Sequence, residues 1–329
     1  MAEISDGADR GWVATNLGLI GGIAAYVAWG LVPLYFQAAK QIPPKEMLAH
    51  RVIWSLIVVS VLFSLTGGRS RLAGSIRDWK AIRLLFLSTP LIVLNWYVFI
   101  YGVTSGQTVQ TSLGYFLLPL VNVMIGMVLF RERLSGMQWF ALSLVASGVS
   151  LMIVGVGIFP WIALTLAVSF SMYGICRKLA PVDSDVGLFI ETLLMLPFAL
   201  VMLGIWESDG DLHFGHYSRA DDLLVAASGI VTTFPLLCFA YAIRRLKFIT
   251  IGFLQYIAPT LAMATAVLIS GEPFTMSHAR SFALIWLGLI VFLADAVRKL
   301  RSTSARQERV AASRKAERFV GDETGSTLY

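Results

Sequence analysis

The sequence predicts an all-α polytopic membrane protein: ten transmembrane helices arranged as two inverted five-helix repeats. Three observations predict it. Only 14% of the 329 residues are charged, against roughly 25% in soluble domains. Apolar stretches long enough to cross a bilayer recur along the whole chain. Basic residues concentrate in alternate linkers. The 57% hydrophobic content also excludes intrinsic disorder, which requires a polar, charge-rich chain. The two cysteines, Cys176 and Cys238, sit in apolar runs and exclude a disulfide scaffold or a Cys-rich metal site.

Each span follows from an uncharged run of about 20 residues. Residues 11–39 carry no Asp, Glu, Lys or Arg and give a span at 16–37. The Pro43-Pro44 turn precedes a second span at 46–66. Residues 84–130 are charge-free, too long for one crossing, and break at the turn-forming GVTSGQ of 102–107 into spans 82–102 and 108–130. The charge-free run 134–176 breaks at GVGIFP, residues 155–160, into spans 136–154 and 159–177. Asp183-Ser184-Asp185, a helix-start cluster, opens span 186–206, which holds one charge, Glu191. Spans 223–243 and 249–270 are uncharged, and span 281–298 includes Asp295. The short linkers favour one compact bundle. No period-two alternation marks a β-barrel.

The expected organisation is a cytoplasmic N-terminus at 1–15, a first repeat at 16–154, a second at 159–298 and a basic cytoplasmic tail at 299–329. The first span is read as a retained anchor, because its apolar run is too long for a signal peptide and Glu3, Asp6 and Asp9 precede it. Of 26 Lys and Arg, 20 fall on the N-terminal side of the membrane, four (Lys40, Lys45, Arg219, Arg280) on the other, and Arg51 and Arg83 within spans. This split puts both termini in the cytoplasm. The basic tail is read as solvated and drawn to anionic lipid, so no nucleic-acid partner is expected.

The halves align. Tyr115–Pro119 (YFLLP) matches Gln255–Pro259 (QYIAP) at an offset of 140, which also takes Tyr101 to Tyr241 and Glu132 to Glu272. An offset of 144 takes Trp29-Gly30 to Tyr173-Gly174, and with one residue of slippage His50 falls on Glu191. Five helices per unit is an odd number, so the second unit enters from the opposite face, a transporter architecture.

Ionisable groups inside the bilayer are functional candidates because they are costly there. His50, Arg51 and Glu191 are therefore expected in gating or coupling, with snorkelling as the plain alternative for Arg51. Ser112, Tyr115, Pro119 and Asn122 share one face of the fourth span; Gly252, Gln255, Pro259 and Met263 repeat it in the ninth. Pro119 and Pro259 free backbone carbonyls in mid-membrane. Trp29, Asn95, Trp96, Tyr115, Asn122, Gln255 and Tyr256 form the expected substrate-binding set. Gly18 and Gly22 have helix-packing spacing.

Catalytic signatures are absent: no Walker A, HExxH, dinucleotide glycine pattern or GxSxG occurs. His213 and His216 are close in sequence but lie in an acidic loop. No cofactor, metal or catalytic residue is expected.

Ala49-His50-Arg51-Val52-Ile53-Trp54-Ser55, Ser112-Leu113-Gly114-Tyr115-Phe116, the GIVTTFPLLCF of residues 229–239 and the GFLQYIAPT of residues 252–260 together resemble the RarD permeases of the EamA group, in the drug/metabolite transporter superfamily. The similarity runs from about residue 16 to 297. It implies two five-helix units in the bacterial inner membrane and ATP-independent solute permeation, often export. The resulting expectation is a secondary transporter of a small metabolite or amphipathic drug-like solute, with lipids around it and a proton or other coupling ion. A membrane-embedded enzyme acting on lipid head groups and a non-transporting scaffold are the alternatives. Substrate, direction, coupling ion and oligomeric state are not encoded legibly.

Overall fold

The computed structural model describes residues 2–105, 107–156, 159–269, 276, 279–295 and 298, with only the backbone described for 2–14, 69, 103–104, 108–109, 155–156 and 266. The described residues form helices joined by turns and short loops, with no strand among them. The helices are α1 (Ala2–Ala38), α2 (Pro44–Leu65), α3 (Gly68–Arg77), α4 (Trp79–Thr104), α5 (Thr108–Val128), α6 (Gly136–Val156), α7 (Trp161–Leu179), α8 (Ser184–Asp209), α9 (Arg219–Arg245), α10 (Phe248–Leu254) and α11 (Ile257–Leu268). A further helix, α12, covers 279–295. Among the described residues nine stretches are long and apolar enough to span a membrane, α10 and α11 together supplying one of them. The expected span at 281–298 overlaps α12, but part of it lies outside the described residues, as do Glu272, His278 and the tail beyond Arg298.

Local chemistry sets the helix ends. Pro44 opens α2, where its missing N–H costs nothing. Ser218 caps α9 by accepting from the Asp221 N–H at 3.1 Å. Asp221 and Asp222 lie in the first turn of α9 and Arg244 and Arg245 in the last, each matching the helix dipole. Gly210 ends α8 with φ of 74°, a left-handed conformation that suits glycine.

Three boundaries differ from the sequence reading. α1 begins at Ala2 instead of near residue 16; the acidic Glu3, Asp6 and Asp9 suit the positive end of a helix dipole. A short helix, α3, occupies a linker. The ninth span breaks at Gln255-Tyr256, four residues before Pro259, which cannot donate to the Gln255 carbonyl. Pro119, its counterpart, leaves α5 continuous.

Helices from the two halves interleave. α1 packs on α9 and α11, α2 on α8 and α9, α4 and α5 on α7, and α5 on α10. Close approach needs small residues. A Cβ at Gly229 would lie 2.5 Å from the Trp54 carbonyl oxygen, and one at Gly252 would lie 2.8 Å from that of Pro119. At the α6–α12 contact, a Cβ at Gly148 would meet Ser281 O at 2.7 Å and one at Gly288 would meet Ala141 O at 2.8 Å. The outer surface keeps large apolar side chains such as Leu65, Phe198 and Leu268, as a lipid-facing surface requires.

Because backbone atoms are the obstacles, Gly229→Ala and Gly288→Ala should each destabilise the protein by about 1–3 kcal/mol. Gly204→Ala, with nothing within 4 Å of the added carbon, should not. Thermal unfolding in detergent distinguishes the two classes.

Candidate functional site

Two charged centres lie inside the bundle. Arg51, in the second turn of α2, turns inward across the helix interface. Its Nε donates to Thr232 Oγ1 of α9 at 2.8 Å. Its guanidinium carbon lies 4.8 Å from the Trp96 ring centroid on α4 and 5.9 Å from that of Phe36 on α1, cation–π distances. The Tyr115 and Tyr35 side chains are within electrostatic range. Tyr35 donates to the Leu224 carbonyl at 2.7 Å. Tyr115 is 46% exposed and packs edge-on against Phe99. Among the described residues no carboxylate lies within 4.0 Å of Arg51.

The second centre is Glu191 on α8, fully buried. Ser88 of α4 donates to its Oε1. Tyr173 of α7 donates to its Oε2 at 3.3 Å, and Arg177 Nη1 stands 3.7 Å from the same oxygen. Arg177 closes the expected span 159–177 and counts in the sequence only as a basic residue of the N-terminal side; it is buried within the last turn of α7, and its Nη2 donates to the Ser184 carbonyl at 3.0 Å. Gly187 makes the room, since a Cβ there would sit 1.9 Å from Arg177 Nη1.

An aromatic layer leads to the Glu191 centre. Trp29 contacts Tyr26, Phe170 and Phe239 at 5.6–5.7 Å between centroids. Phe170 and Phe239 both contact Tyr173, which reaches Glu191.

The centres are related by position. Arg51 and Glu191 are 140 residues apart, the offset of the YFLLP and QYIAP segments. Their hydroxyl partners, Thr232 and Ser88, are 144 apart, the offset of Trp29 and Tyr173. At the offset of 140 Glu191 falls on Arg51, one residue from His50.

Each end of the bundle carries a clamp. At the α1–α2 end, buried Glu46 accepts from the His213 and Phe214 N–H groups, each at 2.8 Å, and so pins the α8–α9 loop. His50 Nε2 lies 3.7 Å from Glu46, and its ring lies 4.7 Å from that of Phe214. At the opposite end Arg71 of α3 bonds Asp183 at 2.9 Å and Asp185 at 2.7 Å, holding α3 to the start of α8. Those two bonds, Asp185 foremost, hold the Arg71 guanidinium above its usual pKa. Glu132 also accepts there from the Phe248 and Ile249 N–H groups at the start of α10. A cleft of about 250 Å³ lies at this clamp, walled by Arg71, Ser75, Asp78, Asp183 and Arg244.

The remaining expected residues bind helix to helix. Asn95 donates to Leu166 O at 2.9 Å and Ser169 Oγ at 3.0 Å. Asn122 donates to Gln255 Oε1 at 2.6 Å, and Tyr256 donates to Phe116 O at 3.1 Å. Pro259 lies in the first turn of α11, just past the break. Trp96 and Tyr115 gather at Arg51, with Trp29 in the aromatic layer. His213 pairs with Asp221 at 3.2 Å and His216 with Glu207 at 3.4 Å. No group of three metal-ligating side chains occurs among the described residues. Glu46, Tyr35, Ser88 and Thr232 escaped the sequence reading, and Tyr173 entered it only as the repeat counterpart of Trp29. Only the buried acid at a helix start carried a signal, and it was masked by adjacent Lys45.

The EamA-like transporter family matches this chain twice, over residues 16–154 and 158–294. The chain belongs to that family. This EamA-family chain is RarD-like. It is 41% identical over 290 residues to Protein RarD of Escherichia coli, covering 88% of this chain and 98% of that protein. It is also 41% identical over 284 residues to an uncharacterised transporter of Vibrio cholerae, covering 85% and 93%. A crystal structure at 20% identity superposes with a TM-score of 0.66, covering 85% of this chain and 96% of the other; that likeness shows the fold alone. The chain is a multi-pass membrane protein of a transporter family with bacterial relatives.

Removing one member of a buried pair strands the other charge, at about 3–5 kcal/mol. Arg177→Met should therefore destabilise strongly, and Arg177→Met with Glu191→Gln should recover much of the loss. A double-mutant cycle on unfolding temperature, showing coupling beyond 0.5 kcal/mol, checks this.

Proposed function

We propose that this chain is a secondary transporter that exports a small metabolite or amphipathic drug-like solute by alternating access. Its framework is ten transmembrane helices in two inverted five-helix repeats, in the bacterial inner membrane with both termini cytoplasmic. The observation that carries this reading is the exchange of equivalent contacts between halves. A Cβ at Gly22 would touch Leu254 at 3.0 Å, and one at Gly114 would touch Leu166 at 3.1 Å; offsets of 144 and 140 turn one pair into the other. The α6–α12 contact uses Gly148 and Gly288, again 140 apart, each against the other's helix. Phe116 and Tyr256, 140 apart, bond to each other, as residues beside a pseudo-twofold axis do.

Such a framework gives two related gates. Basic-residue counts assign the Glu46 clamp to the periplasmic end and the Arg71 clamp to the cytoplasmic end. Alternating access opens one clamp while the other stays closed. His50 works beside the periplasmic clamp. The broken ninth span, with Gln255, Tyr256 and Pro259 at the break and Asn122 bonded to it, is the hinge facing the unbroken, proline-bearing α5. Trp29, Trp96 and Tyr115 contact the solute. Glu191 carries the coupling proton: protonation would cancel its attraction for Arg177 and loosen α7 from α8, and Ser88, Tyr173, Arg177 and Cys176 are the groups that face it. An enzyme acting on lipid head groups would gather its polar groups at one membrane face, whereas here they are divided between two related centres.

The test is flux in proteoliposomes, using the solute whose level differs most between deletion and overexpressing cells. A proton gradient should drive accumulation by the wild type. Glu191→Gln should keep solute exchange and lose at least tenfold of the gradient-driven component; gradient dependence equal to wild type would refute coupling through Glu191. In a chain with Cys176→Ala and Cys238→Ala, Glu46→Cys and Phe214→Cys joined by a short thiol cross-linker should stop flux. Flux unaffected by the cross-link would refute the gate.

A further inference from the structure

We propose that Arg51 is the recognition point for a monocarboxylate on the transported solute, and that the rest of that solute is apolar and planar. This rests on the transport reading and names its substrate class. Arg51 is half-buried in the bundle, where an ionised side chain needs a counter-charge. The protein supplies none: among the described residues no acid comes within ion-pair distance. Glu191, the related carboxylate, is occupied by Arg177, Ser88 and Tyr173. Nor does the helix favour the cation, since Arg51 lies in the N-terminal half of α2, toward the positive end of its dipole. A cation kept at such a place has its partner elsewhere.

The geometry selects the partner. Thr232 holds Nε at 2.8 Å, and Trp96 lies against the guanidinium. Rotation of the head is thereby restricted. The two terminal nitrogens make no hydrogen bond among the described residues, and a fork of N–H donors fits a planar carboxylate. The Tyr115 hydroxyl, also unbonded among the described residues, sits on an accessible side chain within electrostatic range and can donate to the same anion. A phosphate dianion would require more positive charge than one guanidinium. An ammonium group on the solute would meet no free carboxylate here. Trp96, Phe36 and Phe99 supply apolar faces for the body.

Three matched probes test this on the purified full-length protein: 3-phenylpropionate, 3-phenylpropionamide and 3-phenylpropylamine. Their apparent affinities are read from ligand-induced thermal stabilisation. The carboxylate should bind at least tenfold more tightly than the amide, as charge-assisted hydrogen bonds provide, and the amine should bind weakest. Arg51→Gln should erase the preference and Arg51→Lys should keep part of it. The wild-type series decides alone if these variants fail to fold: an amide or amine bound as well as the carboxylate, or a carboxylate that does not bind, overturns the inference. Counterflow of labelled 3-phenylpropionate in proteoliposomes separates the two readings. Carboxylate preference without any exchange would overturn transport and leave the anion site standing. Exchange of all three probes without preference would do the reverse.

Discussion

A bilayer interior offers no water to complete a hydrogen bond or balance a charge, so every polar group carried into it must find its partner in the bundle. This constraint shapes the contacts between the halves. Glu191 on α8 takes its hydroxyl partner from α4, and Arg51 on α2 takes one from α9. Asn95 crosses from α4 to α7, Asn122 from α5 to the α10–α11 break, and Tyr256 back to α5. Asp295 on α12 accepts from Ser135 at 2.8 Å. Each bond joins the first half to the second. Some polar groups are satisfied within their own half, as Glu191 is by Tyr173 and Arg177, but these bonds between the halves complete the rest and hold the halves interleaved.

Glycine placement follows from the same requirement. Short polar side chains such as Ser88 and Thr232 reach across a helix interface only where backbones approach closely. Gly229 lets α9 lie against the Trp54 backbone of α2, one turn from the Arg51–Thr232 bond. Gly187 works differently: it leaves space that Arg177 fills on its way to Glu191. Apolar burial alone discriminates little in a medium as apolar as the side chains, so these steric fits and polar bonds specify which helices meet.

The spans were legible because the bilayer imposes a length and a charge rule that single residues obey. Runs such as 84–130 leave only the placement of breaks to turn chemistry. The α10–α11 break was half legible: Pro259 marks a lost hydrogen bond, yet the equivalent Pro119 leaves α5 intact. Candidate site residues were legible where they broke the charge rule, as Arg51 and Glu191 do. Arg177 was not, because at the edge of an apolar run a buried arginine and a linker arginine have the same sequence; only the fold brings it opposite Gly187. Asn95 and Gln255 show the converse limit. A mid-membrane amide reads equally as a ligand contact or a helix-to-helix bond, and here each is bonded between helices.

The related centres differ in one respect that bears on direction. The half containing Glu191 supplies a cation for it, Arg177, and is electrically complete. The half containing Arg51 is not, since among the described residues the guanidinium has a hydroxyl and aromatic faces but no acid within ion-pair distance. A scaffold whose backbone contacts exchange between halves would by itself make its two end states nearly equal in energy. The uneven charge breaks that equality. In the proposed cycle an anionic solute completes at Arg51 what Arg177 already provides at Glu191, so the loaded bundle has two neutral centres and the empty one keeps a stranded cation. Because an unmatched charge is least costly where water reaches it, the empty protein should favour whichever state hydrates Arg51, and loading should release it from that state. Occupancy of a single charge site thereby sets which of two similar conformations the protein prefers.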